Sequence, residues 1–117
     1  MTKDDMMART KQYALRVIKA VQSLPGDRVA GTIGTQRLRS GTSVGANYRA
    51  ACRAKSTADF VNKLKIVEEE CDESLFWMEL LVEAGILNLK KLGALMKEGG
   101  EILAIVVASI KTARQSR

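Results

Sequence analysis

The 117-residue chain lacks histidine altogether and holds only two cysteines and one proline. Histidine is the commonest general base and metal ligand, and two cysteines alone cannot form a structural zinc site. A di-iron bundle site is also excluded, because it requires a Glu-x-x-His motif and the chain has no histidine. We therefore expect a protein without metal or cofactor and without enzymatic activity.

Long apolar runs are missing as well. No segment reaches the roughly 18 apolar residues of a membrane-spanning helix. The N-terminal residues "MTKDDMMART" carry charges where a signal peptide would be apolar. These absences predict a cytoplasmic protein that does not associate with membranes. Cys52 and Cys71 fall on apolar helical faces, so we expect free, buried thiols.

Scarce proline and aromatic residues, beside 46% hydrophobic residues, favour an all-α fold. A β-sandwich would need turn residues about every 8 to 12 positions. The length suits one domain, residues 1–117. Helical periodicity covers four segments, residues 5–23, 29–54, 56–85 and 92–113, with Ser56 as the N-cap of the third. Short connections predict antiparallel neighbours, and hence an up-down-up-down four-helix bundle.

In three of these helices, apolar side chains recur at the alternating steps of three and four that mark a buried face. The first helix presents Met6, Thr10, Tyr13, Val17, Ala20 and Leu24. The third presents Phe60, Leu64, Val67, Cys71, Leu75, Met78 and Val82. The fourth shows a heptad of Leu92, Met96, Gly99, Leu103, Val106, Ile110 and Ala113. We expect these stripes to form the core.

The second helix carries glycine inside its predicted span. Gly34, Gly41 and Gly45 share one narrow face. Each glycine in a helix interior costs roughly 1 kcal/mol relative to alanine, and the usual compensation is close approach by a backbone or a large side chain. We expect tight helix packing at these three positions, against bulk from the third helix. The candidates for that bulk are Phe60, Phe76, Trp77 and Met78.

Arginines occupy the opposite sector of the second helix, where Arg39, Arg49 and Arg53 form a basic stripe. Two interpretations are open. The stripe is solvated or pairs with the acidic residues of segment 66–84, or it binds an anionic ligand such as nucleic acid. The C-terminal tail provides a further candidate nucleic-acid surface, made of Lys111, Arg114 and Arg117.

Arg37 differs from the other arginines because it projects into the apolar arc of the second helix. A buried guanidinium is costly without a partner of opposite charge. We therefore expect Arg37 to meet a carboxylate of the third helix or of a neighbouring subunit.

The third helix has a second apolar stripe, roughly opposite its core-facing one. The stripe and the acids beside it form a predicted oligomer interface of Ile66, Glu69, Glu73, Phe76, Trp77 and Leu80. A surface helix of a monomer should have one apolar face, so two faces indicate a helix sandwiched between neighbours. Four short helices give each helix only one core to face. The second stripe therefore predicts self-association.

Residues 38–85 resemble the bacterial four-helix bundle proteins encoded in intervening sequences of 23S ribosomal RNA genes. The matching motifs, in order, are Leu38-Arg39-Ser40, Ser43 to Asn47, Lys55-Ser56, Asp59-Phe60, Lys63-Leu64, Glu73 to Trp77 and Glu79 to Leu81. This resemblance implies an all-α fold and a ring-like homo-oligomer, with a pentamer favoured. A more distant similarity is to the accessory variability determinant of diversity-generating retroelements, whose basic surface binds nucleic acid and a reverse transcriptase.

Charge and resemblance together suggest what the chain does. A net charge of +6, the basic stripe and the link to ribosomal RNA genes favour a non-enzymatic oligomer that binds RNA or DNA. No exposed aromatic series is evident for base stacking, so recognition would be of phosphates and shape, with weak sequence specificity. The alternative is a protein-interaction scaffold for a partner such as a nucleic-acid enzyme, whose acidic helices would pair with the same arginines.

Overall fold

The computed structural model describes residues 1–115, and in that range it contains four helices and no strand. The helices are α1 (Lys3–Gln22), α2 (Arg28–Cys52), α3 (Thr57–Glu83) and α4 (Leu89–Gln115). They form an elongated body of 48 × 21 × 20 Å. The predicted all-α fold is confirmed.

Local signals in the sequence explain where the helices begin and end. Thr2 and Asp5 form a capping box at the start of α1, with both hydrogen bonds at 3.0 Å. The predicted N-cap Ser56 accepts a hydrogen bond from the Asp59 backbone N–H at 3.1 Å. After α3, Gly85 takes a φ of +73°, a left-handed conformation that glycine adopts without steric cost.

The buried residues follow the predicted stripes in α1 and α3, whereas the buried face of α4 is rotated from the predicted one. In α1, Met6, Thr10, Tyr13 and Val17 are buried as predicted, and so are four of the seven residues predicted for α3. In α4 the buried line runs through Leu95 and Ile102, whereas the predicted Met96 and Leu103 are half-buried. Apolar side chains occupy both Leu95 and Met96, and both Ile102 and Leu103, so the sequence pattern allows two faces, and packing against α1 and α3 selects between them.

Helices α1 and α2 approach closely at the predicted glycines. A Cβ on Gly41 would lie 2.8 Å from both methyl groups of Val17, and one on Gly45 would lie 3.2 Å from the Thr10 carbonyl oxygen. A Cβ on Gly34 would lie 2.8 Å from Leu24. From Gly34 to Gly45 along α2, the contacted residues run backwards along the chain from Leu24 to Thr10. The two helices therefore run in opposite directions. The bulk at the glycines therefore comes from α1 rather than from the aromatic residues of α3.

Polar contacts hold α1 against α3 and α4. The Arg9 guanidinium donates two hydrogen bonds of 2.7 Å to Glu98 of α4 and one of 2.9 Å to Glu101. Hydrogen bonding from Arg9 holds the pKa of Glu98 below its ordinary value. In the core, the Tyr13 hydroxyl lies 2.9 Å from the Ser74 hydroxyl of α3. Burial raises the pKa of Tyr13 to about 12.

The prediction that Arg37 meets a carboxylate is wrong. The side chain is completely buried, and none of its three guanidinium nitrogens has a hydrogen-bond partner within residues 1–115. Two carboxylates of α3 that reach α2, Glu70 and Glu73, are engaged by Arg39 instead. Because the side chain is enclosed within one subunit, a neighbouring subunit does not reach it either. Burial lowers the pKa of Arg37 to about 10, so it stays charged at neutral pH.

Replacing Gly41 with leucine should lower the free energy of unfolding by more than about 2 kcal/mol, because the new side chain would overpack against Val17. A denaturant melt measures the change. Gly31 provides the matched control in the same helix, since nothing lies within 4 Å of an added Cβ there. Gly31→Ala should stabilise the protein by up to about 1 kcal/mol. A change within about 0.5 kcal/mol for Gly41→Leu would show that the contact is not tight.

Replacing Arg37 with methionine should raise the free energy of unfolding by about 1 kcal/mol or more, since a long apolar side chain removes an unpaired buried charge. Arg39→Met is the control on the same helix. Arg39 is half-exposed, so its loss should change stability by less than about 1 kcal/mol. Greater destabilisation by Arg37→Met than by Arg39→Met in parallel melts would contradict a net cost of the buried Arg37 charge.

Candidate nucleic-acid interface

Arg39 belongs to an ion-pair network rather than to a free basic stripe. Its guanidinium lies 2.9 Å from the Glu70 carboxylate and also pairs with Glu73, both on α3. The side chain keeps 48% of its surface exposed. Of the two interpretations open for the stripe, ion pairing applies at this position, and the charge of Arg39 is largely compensated.

Arg49 and Arg53 have no such partner. Both are exposed, and neither makes an ion pair with any residue that the structure describes. Arg49 lines a groove between α1 and α2, opposite Lys11. Arg53 is the C-cap of α2 and lies one turn further on, at the end of the bundle. The three arginines of the predicted stripe thus lie in three different environments.

The C-terminal candidates lie at the same end of the bundle. Lys111 and Arg114 are exposed on the last turns of α4. Neither forms an ion pair with the described part of the chain. Arg117 lies outside the described residues.

Two adjoining depressions lie at the same end of the bundle. One is lined by all four helices, with Lys3, Tyr48, Phe60 and Thr112 among its residues. The other shares Lys3 and Phe60 and continues to Lys55. Arg53 and Arg114 each directly follow a residue that lines one of the two depressions. We call the exposed cations at this end of the bundle the basic end: Lys3, Arg53, Lys55, Lys111 and Arg114.

The basic end presents charge rather than stacking surfaces. Tyr48 is buried, and the Lys3 ammonium lies 4.8 Å from the centre of the half-buried Phe60 ring. Of the nearby carboxylates, Asp5 is engaged in the capping box and Asp59 with Lys63 at 2.8 Å, whereas Asp4 is exposed beside Lys3 on the first turn of α1. Five exposed cations with no ion pair in residues 1–115 therefore lie on the surface at this end of the bundle. Such a surface can neutralise phosphates without reading bases.

The outer face of α3 has the opposite character. Ile66 and Phe76 are 44% and 50% exposed, and Trp77 and Leu80 are half-buried beside them. The Phe76 and Trp77 rings meet edge to face at 5.3 Å. The Trp77 indole N–H is buried and has no hydrogen-bond partner among residues 1–115. With the exposed Glu69 beside them, these residues form an apolar patch flanked by acidic charge.

The two cysteines are free thiols that differ in burial. Cys71 is buried, its thiol donates to the Gly99 carbonyl at 3.3 Å, and burial raises its pKa to about 12. Cys52 is also free, but it is half-buried rather than buried. Over residues 1–115 no three metal-ligating side chains converge on one point. In the same range, no helix combines the length and apolarity needed to cross a bilayer.

Sequence reasoning missed two members of the basic end, Lys3 and Lys55. It followed charge along single helices and did not combine the ends of different helices. The signal was nevertheless present, because an antiparallel order brings the starts of α1 and α3 together with the ends of α2 and α4. Lys3 is the first residue of α1, and Lys55 lies just before the start of α3.

Similar proteins are known for almost the whole length of the chain. A family model described as 23S rRNA-intervening sequence protein matches residues 2–108. The crystal structure of a protein with unknown function from the S23 ribosomal protein family of Bacteroides thetaiotaomicron VPI-5482 shares the fold, with a TM-score of 0.88. The two chains are 32% identical, and the match covers 95% of this chain and 99% of that one. No curated protein matches the chain.

Proposed function

Because the chain belongs to the 23S rRNA-intervening sequence protein family, we propose that it is a non-enzymatic, oligomeric protein that binds RNA or DNA through its basic end. The observation that carries the proposal is the presence of five exposed cations without ion pairs at one end of the bundle, from α1, α4 and the α2–α3 connection. The family description refers to an intervening sequence of 23S rRNA, and a role in contact with nucleic acid agrees with it.

The chemistry of the basic end favours phosphate contact over base recognition. Lysine and arginine side chains neutralise phosphates and release condensed counterions, which provides affinity without sequence information. Unpaired surface cations are available for this, whereas Arg39 would first have to release two carboxylates. We therefore expect similar affinity for different sequences.

The proposal includes self-association. The exposed apolar patch on α3 is typical of a surface that a partner covers. Together with the resemblance described above, it supports a closed ring of up-down-up-down bundles, with a pentamer favoured. Multiple basic ends in one particle would strengthen binding to a long nucleic acid through avidity.

Replacing Arg53, Lys111 and Arg114 together with glutamine should weaken binding to a mixed-sequence single-stranded RNA by roughly tenfold or more, because three phosphate contacts are lost. A matched control removes the same charge from the opposite ends of the helices, as Arg28→Gln, Lys90→Gln and Lys91→Gln. Fluorescence anisotropy with labelled RNA, and with DNA of the same sequence, measures both. The control should retain most of the affinity.

Equal loss of affinity in the two triple variants would contradict the assignment to the basic end. If the wild-type protein binds neither RNA nor DNA at low salt, the proposed function is wrong. The scaffold alternative, in which the arginines meet acidic helices of a protein partner, would then be preferred. Circular dichroism and sedimentation keep loss of fold or assembly separate from loss of binding.

A further inference from the structure

The groove between α1 and α2 has a shape and charge that the basic end does not use. Its floor consists of small and apolar side chains, Met7, Ala14 and Ala46, beside Gly45. Lys11 and Arg49 line it from opposite helices. Because Ala14, Gly45 and Ala46 are small, large side chains of a partner could enter between the two cations.

The outer face of α3 offers side chains of that kind. Phe76 and Leu80 lie on one line of the helix, with Glu69 before them and Glu83 after them. Segment 66–84 contains no lysine or arginine. Phe76 is half-exposed and stacks edge to face with Trp77, so the pair forms a rigid aromatic ridge with acids at both ends.

We propose that the outer face of α3 of one copy docks into the α1–α2 groove of the next copy. Aromatic side chains in a pocket are typical interface anchors, and here acids on one surface meet cations on the other. Pairing of α3 with α3, or of groove with groove, would instead bring like charges together. The contact is therefore between two different surfaces of the chain, which closes into a ring or extends as a filament.

The inference rests on the self-association within the proposed function and not on nucleic-acid binding. It assigns Arg49 to the contact between subunits and leaves the basic end free. Cyclic symmetry places equivalent surfaces at the same height along the axis, so a ring would carry all its basic ends on one rim. A long nucleic acid could then contact several subunits at once.

Charge reversal tests the pairing of the two surfaces. One variant carries Lys11→Glu and Arg49→Glu, and the other carries Glu69→Lys and Glu83→Lys. All four side chains are exposed and make no ion pair within residues 1–115, so the fold should survive, as circular dichroism can verify. Each variant alone should sediment as smaller species than wild type. A single chain that carries all four substitutions should regain the wild-type particle mass, because every reversed groove then meets a reversed α3 face.

Two results would overturn the proposal. If Lys11→Glu with Arg49→Glu retains the wild-type particle mass, the groove is not part of the contact. If the chain with all four substitutions remains dissociated, or the wild type is a monomer at micromolar concentration, the two surfaces do not pair. RNA affinity of the groove variant provides a separate readout. Its isolated subunits should still bind, more weakly than wild type, so failure of the docking does not imply failure of the basic end.

Discussion

The close approach of α1 and α2 at Gly41 and Gly45 is the constraint on which the rest of the structure depends. With no side chain at either position, the Val17 methyl groups and the Thr10 backbone lie against the backbone of α2. This close approach of the two helices brings the Tyr13 hydroxyl to Ser74 across the core. It also leaves a shallow groove on the outside of the same seam. The cost of helical glycine, roughly 1 kcal/mol each, is therefore offset by packing.

The charged residues are distributed unevenly over the four helices. Acids concentrate on α3, where two of them neutralise Arg39. Cations collect at the end of the bundle where α2 and α4 finish, and the Arg37 charge is enclosed in the core without a partner. The net charge of +6 is thus not spread evenly over the surface. It creates one basic end and one acidic, apolar face, which differ in the partners that they can accept.

Much of this fold follows from the sequence, because periodicity and caps are local. The α1 stripe from Met6 to Val17 and the Ser56 cap depend on neighbours within a few residues. Properties that depend on contacts between helices were less predictable. The pattern placed Arg37 in the apolar arc, but it could not show that Arg39 would take the α3 carboxylates. It also could not show that Lys3 would join cations some 50 residues or more away along the chain.

The central claim is that cations without ion pairs at the basic end bind phosphates. The most direct measurement is the affinity of the wild-type protein for a mixed-sequence single-stranded RNA as a function of salt concentration. Three or more phosphate contacts predict that log K falls linearly with log salt, with a slope of about −2 or steeper for each engaged subunit. A slope near zero, or no binding even at low salt, would contradict the account.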